Sequence, residues 1–359
     1  MPTVTTRVSM LFRCDASPEI GLGHVVRCVA LADELHRNHG VSISFAMRPS
    51  PLASEIVQSR GYPILQARES GVFDQEAWLQ DCILQSGAKA LVVDVRDDLS
   101  KAALQAVSAK GAVIALLDDA SDRRWAADIA FYPPVPQVQR LDWTGFRGRL
   151  CIGWEWIVLR PQFARSFPAR DHLARDRFAQ TRATLSLFIA MGGSDPAGLT
   201  LKAVRAVDGL EGDFETAIIV GSGFCHKQAL QKLLGQTRRR FAVRENVSEM
   251  SAAMAGADLA ICSFGMTAYE LAAMGAPSVY VSLTPDHEES ASALVAAGMG
   301  VPVGVDDQDT ETRLTAAVER LLVGGSARAQ MSRRARELVD GRGASRVAEL
   351  LVSIAGDRC

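Results

Sequence analysis

Short apolar runs alternate with amphipathic stretches along the whole chain. In the first half, the runs predict buried strands at residues 9–14, 41–47, 90–94 and 112–118. The stretch after the first run instead repeats its apolar residues, from Val25 to Leu35, at the spacing of one helix face, and Gly40 follows as a stop. Strands that alternate with helices predict a parallel sheet with helices on both faces.

A second series of the same kind fills the other half of the chain. It predicts strands at residues 185–191, 217–220, 258–262 and 278–282, and a helix at residues 267–274. Residues 132–153 contain several prolines and little periodicity, so we expect a connector there. The arginine-rich residues 170–182 are the expected boundary region. The pattern therefore predicts an α/β chain of two doubly wound, Rossmann-like domains, residues 1–168 and 180–359.

Composition narrows the class of protein. A hydrophobic content of 48% with 22% charged residues is typical of a globular chain, and a net charge of −2 gives no general attraction to nucleic acid or anionic membranes. No apolar run reaches the length of about 18 residues that a bilayer requires, and the start lacks the pattern of a signal peptide. The seven scattered cysteines form no Cys-x-x-Cys pair, which favours a reduced, cytoplasmic protein without a zinc site.

The first candidate site follows the first predicted strand, where open α/β sheets bind ligands. Gly21 and Gly23 permit a tight turn and a close approach to a ligand, and His24 begins the next helix. The positive end of a helix disfavours imidazolium, so we expect His24 to be neutral near pH 7, as a general base must be. The alternative is a capping or packing role for this histidine. The third glycine of a dinucleotide-binding fingerprint is missing, which counts against NAD.

A second candidate site surrounds the predicted helix start after residue 262. The backbone N–H groups from Gly265 through Met266 to Thr267, with the hydroxyls of Ser263 and Thr267, provide donors for a diphosphate. Glu270 lies one turn further on, where its carboxylate can accept hydrogen bonds from ribose hydroxyls. The alternative interpretation is an ordinary helix cap.

A third candidate is the glycine loop that contains Gly193 and Ser194, at the end of another predicted strand. A cap for the next helix and a ligand contact are both consistent with this loop. Asp94 and the pair Asp286 and His287 also lie at predicted strand ends, where they are either site residues or solvated loop residues.

Together these motifs resemble a known family. The pattern R-x-D-A-S-x-x-I-G-x-G-H-x-x-R, from Arg13 to Arg27, is similar to that of the UDP-sugar hydrolase of pseudaminic acid biosynthesis, UDP-2,4-diacetamido-2,4,6-trideoxy-β-L-altropyranose hydrolase. The pattern S-x-G-x-T-x-x-E, from Ser263 to Glu270, resembles the same family, as do the glycine turns at residues 192–195 and 221–223. The resemblance implies the GT-B architecture, with two domains that face a cleft.

The resemblance also implies roles for residues. His24 is expected to activate water at the anomeric carbon without a metal or cofactor, and the second domain is expected to hold UDP, with Glu270 on the ribose. Asp15 is our candidate for orienting the imidazole or binding a sugar hydroxyl, and Arg13 or Arg27 is expected to hold its carboxylate.

Two positions depart from the family pattern. Many members have Asp-x-Tyr where this chain has Asp94-Val95-Arg96, and Asn-Gln where it has Asp286-His287. Both positions are expected near the sugar.

The chemistry needs few groups, because a glycosyl diphosphate already has a good leaving group. One base and one water on the opposite face suffice, with inversion at the anomeric carbon. A glycosyltransferase of the same architecture remains an alternative, and it would need an acceptor site. A non-catalytic nucleotide-sugar binding protein is another, and it would not need His24. The expected partner is a UDP-sugar, with no nucleic acid and no membrane insertion, and the expected state is a monomer or a weak homo-oligomer.

Overall fold

The computed structural model describes residues 8–17, 21–67, 73–164 and 184–357. The chain divides into two compact units. The N-terminal unit consists of Met1–Pro161 together with Arg342–Cys359, and the C-terminal unit is Gln162–Gly341. The boundary expected at residues 170–182 lies outside the described residues.

The N-terminal unit contains one parallel sheet. Its described strands are β1 (Ser9–Cys14), β2 (Ser42–Met47), β3 (Ile64–Gln66), β4 (Ala90–Asp94), β5 (Val113–Leu117), β6 (Ile129–Tyr132) and β7 (Arg149–Ile152). They pair in the order β3-β2-β1-β4-β5-β6-β7. The strand order reverses direction between β1 and β4, where Cys14 pairs with Asp94. Ligands of open α/β sheets bind at the carboxyl side of such a switch point.

Helices cover this sheet: α1 (Gly23–His39), α2 (Pro51–Gln58), α3 (Gln75–Ser86), α4 (Lys101–Ala109) and the short α5 (Pro136–Gln139). The apolar face of α1 buries Val25, Cys28 and Leu35 against the sheet. Gly40 ends α1 in the left-handed conformation, with φ of 67°, which residues other than glycine rarely adopt. The helical spacing seen in the sequence thus corresponds to a buried stripe.

The C-terminal unit contains a second parallel sheet. Its described strands are β8 (Leu185–Ala190), β9 (Phe214–Val220), β10 (Phe241–Glu245), β11 (Leu259–Ser263), β12 (Ser278–Ser282) and β13 (Gly300–Val305). Their order is β10-β9-β8-β11-β12-β13, so the switch point lies between β8 and β11. The fold class predicted from the sequence, two parallel-sheet α/β units, is confirmed.

The helices of the C-terminal unit are α6 (Leu199–Asp208), α7 (Lys227–Leu234), α8 (Met250–Ala255), α9 (Met266–Ala273), α10 (Pro285–Ala296), α11 (Thr310–Val323) and α12 (Gly325–Leu338). The core of this unit includes Ile189, Val204 and Ile261, and each of these side chains is fully buried.

The last described helix, α13 (Gly343–Asp357), belongs to the N-terminal unit. Its side chains Val347 and Leu351 are buried in the same core as Leu35 of α1. A Cβ at Gly343 would overlap the carbonyl oxygen of Ile157, so glycine is required where this helix begins. The predicted C-terminal domain, residues 180–359, therefore includes a helix that belongs to the N-terminal unit, since the C-terminal unit ends at Gly341. The sequence did not indicate this, because an apolar helix face does not reveal which sheet it covers.

The connector predicted at residues 132–153 is wrong in part, because this stretch contains α5 and strand β7. Strand β7 is the edge strand of the first sheet, and its Cys151 is buried while Arg149 is exposed. The strand has only four residues, which is too short to show a period, and it follows a stretch with several prolines. None of the helices in the described part of the chain has both the length and the apolar character needed to cross a membrane.

Candidate functional site

The switch point of the N-terminal sheet brings His24 to Asp94. The histidine lies in the first turn of α1, directly after β1, and the aspartate is the last residue of the neighbouring strand β4. The imidazole Nδ1 lies 2.7 Å from Asp94 Oδ1. The Asp94 side chain is fully buried, whereas that of His24 is 15% exposed.

This contact determines how the imidazole can act. A carboxylate only accepts hydrogen bonds, so Nδ1 of His24 carries the proton and donates it to Asp94. The other nitrogen, Nε2, keeps its lone pair, and no side chain or backbone group among the described residues hydrogen-bonds to it. A carboxylate that fixes the tautomer and orientation of an imidazole in this way is a common arrangement for a general base.

Arg27 binds the same carboxylate from one turn further along α1. Its Nε donates to Asp94 Oδ2 at 2.8 Å and its Nη2 donates to Asp94 Oδ1 at 2.7 Å. Burial alone would raise the pKa of Asp94, but the charges and hydrogen bonds of Arg27 and His24 outweigh burial and hold that pKa well below its ordinary value. Burial opposes the charge of Arg27 as well, and Asp94 outweighs it, so the pKa of Arg27 is raised.

A second shared carboxylate lies beyond Arg27. Asp118, just after β5, accepts from Nη1 of Arg27 at 3.4 Å and from Nη2 of Arg96 at 3.4 Å. Its backbone is left-handed, with φ of 55°, which is uncommon for a residue other than glycine. Side chains from α1, β4 and β5 thus form one chain of contacts at the carboxyl edge of the sheet.

Asp15 does not contact His24, which corrects the role we expected for it in orienting the imidazole. Its carboxylate pairs with Nη2 of Arg13 at 2.7 Å and accepts the backbone N–H of Arg48 at 2.8 Å. The reason is strand order, since pairing of β1 with β4 puts Asp94 beside α1. Arg13 itself is fully buried and also donates to Asp97. Arg27 is the other residue expected to hold the Asp15 carboxylate, and it binds Asp94 instead.

The glycines before α1 shape its start. Gly21 has φ of 72°, in the left-handed region, and its N–H donates to the carbonyl of Ser17 at 2.8 Å. Gly23 is the first residue of the helix, next to His24. Among the described residues, no side chain caps the N-terminus of α1, and its first turn contains no acidic residue.

Glycine loops meet at the switch point of the C-terminal sheet. A Cβ at Gly192, after β8, would lie 3.9 Å from Oγ of Ser263 at the end of β11. A Cβ at Gly221, after β9, would lie 2.8 Å from Cα of Gly193, which excludes any larger residue there unless the loop moves. Three strand-end loops therefore adjoin one another, and Gly193 is exposed among them.

The acidic residue of the first of these loops is a helix cap. The Asp195 carboxylate accepts the backbone N–H groups of Leu199 and Thr200, each at 2.8 Å, at the start of α6. Burial raises the pKa of Asp195. The cap interpretation is thus correct for Asp195, while the neighbouring Ser194 is half-buried and bonds to neither of these N–H groups.

The start of α9 differs from that of α6, because no acidic side chain among the described residues binds its first N–H groups. Its N-terminal neighbour Gly265 has φ of 149°, no side chain in the described part of the chain caps the helix, and its first turn contains no acidic residue. Met266 and Thr267 are half-buried in that turn, and Glu270 is 6% exposed one turn later. An uncapped helix start of this kind offers N–H donors and a positive dipole end to an anion.

The next helix contrasts with α9. Thr284 caps α10 by accepting the N–H of His287 at 3.2 Å, and Asp286 adds a negative charge to the first turn. Asp286 is exposed. The ring of His287 lies 6.0 Å from that of Phe264, which follows β11, and its buried Nδ1 has no hydrogen-bond partner among the described residues.

The chain is similar in sequence to known proteins of polysaccharide and glycosyl metabolism. Residues 187–350 match the glycosyltransferase family 28 C-terminal domain. The chain is 24% identical over 205 residues to the spore coat polysaccharide biosynthesis protein SpsG of Bacillus subtilis, an alignment that covers 56% of this chain and 58% of that protein. It thus spans less than two thirds of the length of this relative.

Two further similarities extend over nearly the whole chain. The UDP-N-acetylglucosamine--N-acetylmuramyl-(pentapeptide) pyrophosphoryl-undecaprenol N-acetylglucosamine transferase of Acidithiobacillus ferrooxidans is 25% identical over 358 residues, or 93% of this chain and 95% of that protein. The crystal structure of MurG from Acinetobacter baumannii has a TM-score of 0.70 at 17% identity and covers 96% of this chain and 99% of that chain. The chain therefore shares the GT-B fold of this structure.

Proposed function

We propose that the protein hydrolyses a UDP-activated amino sugar at its anomeric carbon and releases UDP without a metal ion, in nonulosonic acid or surface polysaccharide biosynthesis. In this proposal the N-terminal unit supplies the base and binds the sugar, and the C-terminal unit binds the nucleotide. The observation that carries the proposal is the 2.7 Å contact between His24 Nδ1 and Asp94 Oδ1, which leaves Nε2 of a fixed imidazole as a proton acceptor.

The chemical step needs one proton transfer. Nε2 of His24 takes a proton from water as the water oxygen bonds to the anomeric carbon. The bond from that carbon to the diphosphate oxygen breaks on the opposite face, and UDP departs as an anion. The products are UDP and the free sugar with inverted configuration, and the imidazolium then returns its proton to solvent.

The nucleotide site of the proposal rests on the backbone of the C-terminal unit. The start of α9 at Met266 and Thr267 is uncapped, in contrast to the capped starts of α6 and α10. A diphosphate between the Gly193 loop and this helix would accept N–H hydrogen bonds and meet the positive end of the helix dipole. Glu270 would then accept hydrogen bonds from the ribose, with Ser194 and Ser263 as further donors.

The relatives support the general class of substrate. The match to a glycosyltransferase C-terminal domain covers α9 and the strand-end loops of this unit. The Bacillus relative is a polysaccharide biosynthesis protein, which is consistent with a nucleotide sugar as the substrate.

Glycosyl transfer is the second candidate, favoured by the alignment of the A. ferrooxidans transferase with 93% of the chain. The two reactions differ in what accepts the sugar. A hydrolase releases nucleotide from a nucleotide sugar in buffer alone, whereas a transferase releases it only when an acceptor hydroxyl is added.

One experiment separates these candidates. The protein is incubated with a panel of UDP- and CMP-sugars without an acceptor, and free nucleotide and free sugar are measured by chromatography. Hydrolysis predicts equal amounts of nucleotide and sugar from at least one UDP-amino sugar. If nucleotide is released only when an acceptor is added, the protein is a glycosyltransferase and not a hydrolase. If it binds nucleotide sugars without any turnover, it is a binding protein.

A further inference from the structure

Both oxygens of the Asp94 carboxylate are engaged by Arg27, so the aspartate is not a partner for His24 alone. The guanidinium binds it in a two-point arrangement, and the same Nη2 lies 3.4 Å from Nδ1 of His24. The Arg27 side chain is 11% exposed and that of Asp94 is fully buried. Two-point pairs of this kind have a fixed geometry and are strong.

We propose that Arg27 is a positioning residue that holds His24 as a neutral, correctly oriented base by sharing the charge of Asp94. The inference rests on the proposed function for its catalytic meaning, but the coupling among these three residues can be measured without substrate. Arg27 need not touch the sugar in this arrangement, since three of its nitrogens are already engaged by carboxylates.

The physical reason lies in the charges around the imidazole. A histidine beside an unshared carboxylate is readily protonated, because the negative charge stabilises imidazolium. Here the positive guanidinium of Arg27 lies within 3.4 Å of the ring nitrogen and opposes a second positive charge. A protonated His24 would have lost the lone pair that accepts the proton of water.

The surrounding groups preserve this balance. Asp118 and Arg96 form the outer part of the network, so two carboxylates and two guanidiniums are linked to His24 directly or through Arg27. The thiol of Cys28 approaches Asp94 Oδ2 at 3.7 Å, and burial raises its pKa, so the thiol stays uncharged. Cys14, which pairs with Asp94 across the strands, is a buried free cysteine.

The test uses three test variants, one variant for signal assignment, one control variant and two measurements. The imidazole titration of His24 is followed by NMR in the free protein, which has six histidines, and the signal is assigned through its loss in His24→Asn. The acidic limb of the pH–rate profile is measured with the best UDP-sugar. Arg27→Gln removes the charge, Arg27→Lys keeps the charge but loses the two-point geometry, and Asp94→Asn removes the carboxylate. Arg37→Gln, on the exposed side of the same helix, is the control.

The expected shifts have opposite signs. Arg27→Gln should move the midpoint of the His24 titration and the acidic limb to higher pH by about 1–3 units, because imidazolium is then paired with an unshared carboxylate. Asp94→Asn should move both to lower pH. Arg27→Lys should leave the midpoint close to that of the unmodified protein while the rate falls, since only the orientation is lost. Arg37→Gln should change neither.

A purely structural role for Arg27 would give a different result. Lower melting temperature and rate in Arg27→Gln with an unmoved titration midpoint would overturn the proposal. If this variant does not fold, Asp118→Asn serves instead: it removes the outer anion and should move the His24 midpoint to lower pH, and an unmoved midpoint there would also overturn it. Absence of hydrolysis in the unmodified protein would refute the proposed function but not the coupling, because the NMR titration needs no substrate.

Discussion

The two sheets have the same kind of switch point, but different groups occupy the two carboxyl edges. In the N-terminal unit, His24, Arg27 and Asp94 are paired side chains, with the aspartate fully buried. In the C-terminal unit, the corresponding edge consists of glycine loops and the uncapped start of α9. One edge therefore has the fixed side chains that proton transfer requires, and the other has the backbone donors that suit a phosphate. The same topology can thus support two different tasks.

His24→Asn removes the base that the N-terminal edge supplies in the proposal. Removing a general base typically costs about 10²–10⁴ in rate, so this variant should lose most of its turnover. Its UDP affinity should be unchanged, because the proposed nucleotide site is in the other unit. Hydrolysis is measured by UDP release, affinity by calorimetry and stability by melting temperature.

A histidine that serves only for packing would give a different set of results. The same variant would then have a lower melting temperature, with rate and binding affected alike. Full hydrolysis by the variant would exclude His24 as the base.

Asp94→Asn tests whether the N-terminal edge depends on its buried charge. The variant leaves Arg27 without its buried counter-charge, and breaking such a pair typically costs about 3–5 kcal/mol in the free energy of unfolding. The pKa of Asp94 is depressed in the folded protein, so its contribution is present above the unfolded value of about 3.9 and is lost as the pH falls below it.

The measurement is urea unfolding of both proteins across a pH series. The difference between them should shrink below about pH 4, where Asp94 becomes protonated in the unfolded chain. A difference that does not depend on pH down to pH 3 would show that the charge of Asp94 is not what stabilises this edge.

The pairing of His24 with Asp94 shows what local sequence patterns cannot supply. Strands β1, β4 and β12 were predicted at their observed bounds, because buried parallel strands are continuous apolar runs. The two paired residues, however, are 70 positions apart, and only the strand order makes them neighbours. The sequence favours Asp15 as the partner of His24 because the two residues are close along the chain. The sequence does indicate Asp94 as a candidate, because it is the last residue of a run that is otherwise apolar. Solvated loop residues also occur at the ends of such runs, so the sequence alone does not distinguish the two cases.

Glu270→Ala tests the C-terminal edge, with a smaller expected effect. If the carboxylate binds the ribose, UDP affinity should weaken by about 1–3 kcal/mol, the usual cost of a lost charged hydrogen bond. Glu270 is buried, so the melting temperature is measured as well, and Glu270→Gln provides a variant of the same shape. Glu319→Ala, at an exposed position of α11, is the matched control. An unchanged UDP affinity in both Glu270 variants would exclude the ribose role and leave the nucleotide site without its proposed side-chain acceptor.

The smallest expected effect is that of metal removal, and it tests whether backbone donors alone can stabilise the leaving diphosphate. Many enzymes offset diphosphate charge with a divalent ion, which is held by the diphosphate, by water and by one or two carboxylates. The described residues contain no group of three or more His, Cys, Asp or Glu side chains arranged to hold such an ion. In the proposal, the N–H groups at the start of α9 and the helix dipole stabilise the charge instead. Hydrolysis in EDTA should therefore match hydrolysis in added magnesium within about twofold, which is less than 1 kcal/mol in the barrier. Activity that disappears in EDTA and returns with a divalent ion would contradict this division between the two edges, because the C-terminal edge would then need a metal for the task assigned to its backbone.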